Sequence, residues 1–360
     1  MKAIVNNDLL LKELKKMSIL IKKNHIIPIT SCVLMNFEKN KLTITATDLE
    51  TTYISVIDCD CKSPFSVPVD HNDITDFSSN AAAPVQFELK EKQIILVSGK
   101  FKRSLTIAGD ADHFPKSPED EFSIKINVEG EFFYNLSKAN VCRADGKIPK
   151  VNLDMAAIDV KTGSVIVVGC DGNYLFKKEM DCKSKTERVV MVSDTFVQSC
   201  KSFQESTLSF GERCVKAECK NETVISVLGV QKYANYEVVL PKGREYNLRV
   251  DSNEFKKAVR SITNTTNVVS KECYFNFSDG RVQLTSSNID FGKEGETEID
   301  VTHTVTIPKL CLNLFQLSLL LGLVDDNEIE FSIESHDKSV LFRPVEDHSI
   351  LFLIQPLLIN

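Results

Sequence analysis

The feature that most constrains this chain is a strand and corner that occurs three times: LTITATDLE at 42–50, VIVVGCDGN at 165–173 and VQLTSSNID at 282–290. The first copy alternates apolar and polar residues, and all three end at a polar corner, Asp48, Asp171 or Asn288. Asp48 and Asp171 lie 123 residues apart, and Asp171 and Asn288 lie 117 apart. The amphipathic helices that open each copy start near Asp8, Gly130 and Asn253, at spacings of 122 and 123. Agreement at separate landmarks makes this an internal repeat, carried by the pattern of elements more than by identical residues.

Within each copy the periodicities predict helix, hairpin, strand, helix and a three-strand meander. The first copy reads as a helix over 8–21, a hairpin from Cys32–Phe37 and Leu42–Ala46, a strand from Thr52 to Asp58, a helix near 70–78 and a meander over 85–108. The second has helices at Glu131–Cys142 and after Ser193, and the third at Asn253–Ile262 and Lys309–Leu321. Proline-bearing stretches at 110–122 and 232–245 read as linkers, which predicts three domains, 1–115, 123–240 and 245–360. Amphipathic helices laid on antiparallel sheet give an α+β fold. Three such units in a row end in two unpaired sheet edges, and a head-to-tail dimer would pair both.

Composition narrows the function. A hydrophobic fraction of 42% with 26% charged residues is that of a globular chain. The N-terminus MKAIVNNDLLLKELKK has charges where a signal peptide needs an apolar run, and the longest apolar run, 310–323, contains Asn313, Gln316 and Ser318. A cytoplasmic location is expected. Eleven scattered cysteines without a C-x-x-C predict reduced, mostly half-buried thiols, with neither disulfides nor a metal centre.

An enzymatic reading would rest on Asp48 and Glu50, two carboxylates near one turn. No histidine, lysine or third acid completes a site around them, and the pair does not recur in register in the other copies. Nucleotide-binding loops and hydrolase motifs are also missing, so neither catalysis nor a cofactor is expected.

The sequence resembles the bacterial sliding clamp family, the beta subunit of DNA polymerase III. The resemblance is carried by IIPITSCVLMNFEKNKLTITATDLETT at 26–52, HFP at 113–115, CDGNYL at 170–175, NYEVVLPK at 235–242 and LIQPLL at 353–358. It implies a DNA clamp fold of three repeated domains and a homodimeric ring around duplex DNA. Sequence-independent attraction to DNA, docking of a DNA polymerase and a clamp loader, and no chemistry of its own are further implications. A sliding ring needs diffuse positive charge rather than base readout. That points to Lys12, Lys15, Lys16, Lys22 and Lys23, to Lys256, Lys257 and Arg260, and to Lys138, Arg143, Lys147, Lys150 and Lys201.

The resemblance further implies a partner-binding groove walled by Leu153, Cys170, Gly172, Asn173, Tyr174, Leu175, Val238, Val239, Leu353, Ile354, Gln355, Pro356, Leu357 and Leu358. Tyr174 and Gln355 depart from common family residues, which suggests altered partner specificity. The implied dimer contacts are Arg103 and Leu105 against Asn264 and Thr265. Asp70, His71 and Asp73 stand where the family tends to be basic, and Lys150-Val151-Asn152 lacks an aromatic pair found in some relatives. A clamp-like scaffold that binds proteins but retains DNA weakly is therefore the competing expectation.

Overall fold

The computed structural model describes residues 1–21, 27–82, 84–145, 152–304 and 306–358. Six α-helices are present among them: α1 Asn7–Met17, α2 His71–Asn80, α3 Gly130–Val141, α4 Asp194–Cys200, α5 Ser252–Ile262 and α6 Leu314–Leu321. Each follows a short strand, in order Lys2–Val5, Phe65–Asp70, Ile124–Val128, Arg188–Val192, Leu248–Asp251 and Leu310–Asn313. Three antiparallel strands then follow each helix, with a two-residue strand, Thr302–His303, added after α5. The underlying unit is thus strand, helix and three strands, repeated six times.

The six leading strands are too short to show an alternation, and the periodicity reading misses them. It also misassigns Lys309–Leu321 as all helix, whereas Leu310–Asn313 is strand and only Leu314–Leu321 is helical. An apolar run of that length does not distinguish the two by pattern alone. The switch is made by Asn313, whose Oδ1 accepts the Gln316 N–H at 3.1 Å. Asn6, Asp70, Ser193 and Asp251 cap α1, α2, α4 and α5 in the same way.

Paired units exchange their leading strands. Lys2–Val5 bonds to Val85–Lys90, while Phe65–Asp70 crosses to Cys32–Glu38. Likewise Ile124–Val128 bonds to Ser206–Phe210 and Arg188–Val192 to Ala156–Lys161. Leu248–Asp251 bonds to Glu328–Ser332 and Leu310–Asn313 to Glu272–Ser278. Pro68 is tolerated in its strand because Phe65–Asp70 is bonded on one side only.

The chain forms two compact bodies, and both take parts of the second repeat. The first comprises residues 1–134, 182–186 and 192–230. Its twelve-stranded sheet includes the antiparallel pair Thr51–Cys61 and Glu222–Val227, which joins the first repeat to the second. The other comprises residues 135–181, 187–191 and 231–360. There Tyr174–Asp181 pairs with Ile350–Ile354 in a nine-stranded sheet, beside a four-stranded sheet ending at Lys293–Asp300.

All eleven cysteines are free, and nine are buried, which corrects the expectation of half-buried thiols. Burial pushes Cys32, Cys59 and Cys311 up to about 11, so these thiols stay protonated.

The repeated corner survives in atomic detail in two copies. Asp48 Oδ1 accepts the N–H groups of Glu50 and Thr51 at 3.2 and 2.8 Å, and Asp171 Oδ1 accepts those of Asn173 and Tyr174 at 2.7 and 3.0 Å. The residue after each aspartate is left-handed, Leu49 at φ 83° and Gly172 at φ 95°. In the third copy Asn288 instead donates from Nδ2 to the Thr266 carbonyl at 3.2 Å, ahead of a 3-10 turn at Ile289–Phe291. Leucine is poorly suited to the left-handed region and glycine well suited to it. Thermal unfolding of Leu49→Gly should therefore show a gain of about 0.5–1 kcal/mol, and Gly172→Ala a loss of about 1 kcal/mol.

Candidate functional site: an apolar groove and basic helix faces

In the second body the strands Ser164–Cys170, Tyr174–Asp181 and Ile350–Ile354 lie side by side, with Cys170 opposite Leu175 and Leu175 opposite Leu353. These three side chains form one apolar cluster with Ile166, Val168, Tyr233 and Tyr236, and Leu153 packs against it from the edge. Strand residues alternate between faces. Tyr174 and Ile354, paired with each other, and Phe176, whose ring lies 5.2 Å from that of Phe352, stand outside this cluster. The residues expected to wall a groove, consecutive in sequence, are thus split between two faces.

The C-terminal tail is fixed on both sides of its proline. Gln355 N–H donates to the Asn173 carbonyl at 2.7 Å, and Leu357 N–H donates to the Cys311 carbonyl at 2.8 Å. Pro356, with no N–H, falls between these bonds. Leu358 is 80% exposed, and across the segment Tyr236–Val239 the side chains of Val238 and Val239 are 77% and 47% exposed. Gly172 supplies the left-handed corner, and Cys170 Sγ accepts its N–H at 3.2 Å. Gly169, one residue earlier, admits the α3 backbone: a Cβ there would lie 1.7 Å from the Ala139 carbonyl oxygen.

The basic residues divide into two groups. Lys12, Lys15, Lys201, Lys257 and Arg260 are exposed. Lys16 instead turns to Glu13, at 3.0 Å, and to Glu222, within a network where Ser55 donates to Glu13 at 2.9 Å and Tyr53 to Glu222 at 2.7 Å. Burial opposes its charge, but the bonds to Glu222 and Glu13 outweigh burial and hold Lys16 above its ordinary 10.5.

Lys138 is 6% exposed and pairs with Asp325 at 2.6 Å. Lys256 donates to the Val324 carbonyl at 2.7 Å, and burial lowers its pKa from 10.5. Arg143 donates to the Asn140 carbonyl at 2.8 Å. Lys22, Lys23, Lys147 and Lys150 lie outside the described residues. No lysine or arginine occurs in α2, α4 or α6.

Of the expected dimer contacts, Arg103 pairs with Asp76 at 2.8 Å and lies 5.8 and 5.6 Å from the ring centres of Phe77 and Phe101. Leu105 is buried, and Asn264 is exposed. Thr265 turns inward, donating to the Ile262 carbonyl and sharing a 2.7 Å bond with Ser286. Asp48 is committed to its corner, and no cluster of three or more potential metal ligands occurs among the described residues.

A sequence profile of the N-terminal domain of the DNA polymerase III beta subunit matches residues 1–125, and one of its C-terminal domain matches 237–357. The chain belongs to the DNA polymerase III beta subunit family. It is 20% identical to the beta sliding clamp of Pseudomonas aeruginosa, with 98% of each chain covered, and 20% identical to that of Chlamydia muridarum, with 99% of each covered. Its fold matches the DNA polymerase III subunit beta structure from P. aeruginosa with a TM-score of 0.93 at 20% identity, and that from Thermotoga maritima with 0.91 at 17%. Both matches cover 100% of each chain. A P. aeruginosa sliding clamp solved with griselimycin matches with a TM-score of 0.94 at 19% identity, again over 100% of each chain.

Several residues of the cluster escape a sequence reading. Tyr233 and Tyr236 fall in the stretch taken as a linker, although KYANYEVVLPK is too aromatic and apolar for an exposed connection. The acidic edge strand Lys293–Asp300 was also missed, because its charges conceal the alternation of Gly295, Thr297 and Ile299.

The two groups of lysines should separate experimentally. Lys12→Ala with Lys15→Ala should weaken duplex binding in a salt-dependent manner and leave the melting temperature unchanged. Lys16→Ala should cost about 1–3 kcal/mol of stability by leaving Glu13 and Glu222 short of their counter-charge. The Lys16 contribution is present below pH 10.5 and is lost as pH rises through the raised folded pKa, as thermal melts across that range would record.

Proposed function

We infer that the chain works as a DNA sliding clamp: two copies close head to tail around duplex DNA and tether a DNA polymerase, with a clamp loader placing them there. Family membership, with the repeated unit running the length of the chain, carries this reading. The family is that of a non-catalytic polymerase subunit, so the function is topological. No helix among the described residues is long and apolar enough to cross a membrane.

Three features support the assignment. Exposed Lys12 and Lys15 on α1 and Lys257 and Arg260 on α5 provide diffuse charge for phosphates without a base-reading element. Exposed Val238, Val239 and Leu358, carried by segments anchored in the buried cluster of Tyr236, Leu175 and Leu353, supply apolar surface for a groove that takes a short peptide from a polymerase or loader. We take griselimycin as a probe of that groove. Finally, among the described residues the edge strands Phe101–Thr106 and Lys293–Asp300 are each bonded on one side only. Lys100 and Lys102 stand exposed at the first, while the second exposes Glu294, Glu296, Glu298 and Asp300. Opposite charge favours their pairing between copies.

A scaffold with weak DNA retention is the second reading. It is favoured by the engagement of Lys16, Lys138 and Lys256 within the protein and by the absence of lysine and arginine from α2, α4 and α6. Loading onto nicked circular DNA, followed by linearisation, separates the readings. A clamp is retained on the circle and runs off the linear form, whereas equal loss from both would reject topological tethering.

A further inference from the structure

The strand Ala156–Lys161 is buried from Ala156 through Val160, yet carries a carboxylate, Asp159, that is only 5% exposed. A buried carboxylate is costly unless it is paired. The Tyr236 hydroxyl donates to Asp159 Oδ2 at 2.6 Å, and the Lys161 ammonium lies 3.7 Å from the same oxygen. Lys161 also pairs with Glu237. Two residues of one strand therefore hold two consecutive residues of the segment Tyr236–Val239.

That segment is a single 3-10 turn, a weakly stable element whose placement depends on its anchors. Asn235 Oδ1 fixes its start by accepting the Glu237 N–H at 3.2 Å, and the Tyr236 ring sits in the cluster with Cys170, Leu175 and Leu353. Val238 and Val239 are largely exposed, so their own burial contributes little to positioning them. Burial first, then the bond to Asp159, raises the Tyr236 pKa well above 10, which keeps the phenol a hydrogen-bond donor.

We propose that Tyr236 and Asp159 are positioning residues for the groove: their buried hydrogen bond fixes the segment from Asn235 to Leu240 so that Val238 and Val239 stand as one wall. The proposal rests on the groove reading above. A directional bond between buried polar groups sets one placement, where apolar contacts alone would tolerate sliding.

Griselimycin affinity and amide hydrogen exchange of the full-length protein test the two ideas separately. Tyr236→Phe keeps the ring and removes the donor. It should weaken binding about tenfold and speed exchange at Glu237 and Leu240, while the strand Tyr174–Asp181 stays protected. Asp159→Leu should do the same, and the double variant should add little to either single change. Asp159→Asn retains an acceptor and should stay within about threefold of wild type. Wild-type affinity and unchanged exchange in Tyr236→Phe would overturn the proposal. If the wild-type protein binds no griselimycin, the groove reading fails, and exchange alone decides: faster exchange at Glu237 and Leu240 in Tyr236→Phe supports the anchor, and unchanged protection refutes it.

Discussion

The structure depends on backbone pairing between units that cannot complete themselves. Each unit's leading strand bonds to a strand of its neighbour, as Phe65–Asp70 does to Cys32–Glu38 and as Lys2–Val5 does to Val85–Lys90 while also pairing with Thr51–Cys61 of its own unit. A leading strand left alone would bury unsatisfied amides. Exchange satisfies them and places each helix directly after a paired strand, with a side-chain cap at the start of α1, α2, α4, α5 and α6. The same pairing crosses repeats at Thr51–Cys61 with Glu222–Val227 and at Tyr174–Asp181 with Ile350–Ile354, and the second junction holds the apolar cluster of Leu175 and Leu353.

The sequence made the three-fold order legible because its landmarks are long: amphipathic helices, hairpins and the corners at Asp48 and Asp171. The finer six-fold order was hidden in strands of four to six residues, where tertiary pairing decides the conformation. Groove residues such as Leu175 and Leu353 could be named by resemblance, but strand alternation divides a consecutive run between two faces. The Tyr236–Asp159 bond spans 77 residues and joins an apparent linker to an apparent core strand. Its only local trace is a carboxylate within an apolar run.

Charge is used for two purposes. Lys16, Lys138 and Lys256 are tied to carboxylates or carbonyls of the protein. Lys12, Lys15, Lys257 and Arg260 remain exposed on α1 and α5. A net charge of −7 is compatible with DNA encirclement because attraction depends on where the exposed cations lie. The carboxylates along Lys293–Asp300 account for part of the acidic balance and place it on an edge suited to another protein strand.

In the proposed ring the two open edges close on a second copy of the chain. Sedimentation across protein concentration and salt tests it most directly. A closed ring should sediment as a species of about 81 kDa, twice the 40.4 kDa chain, at low salt, shifting toward monomer as added salt screens the lysine and carboxylate edges. A 40.4 kDa species at every concentration, even in low salt, would contradict it.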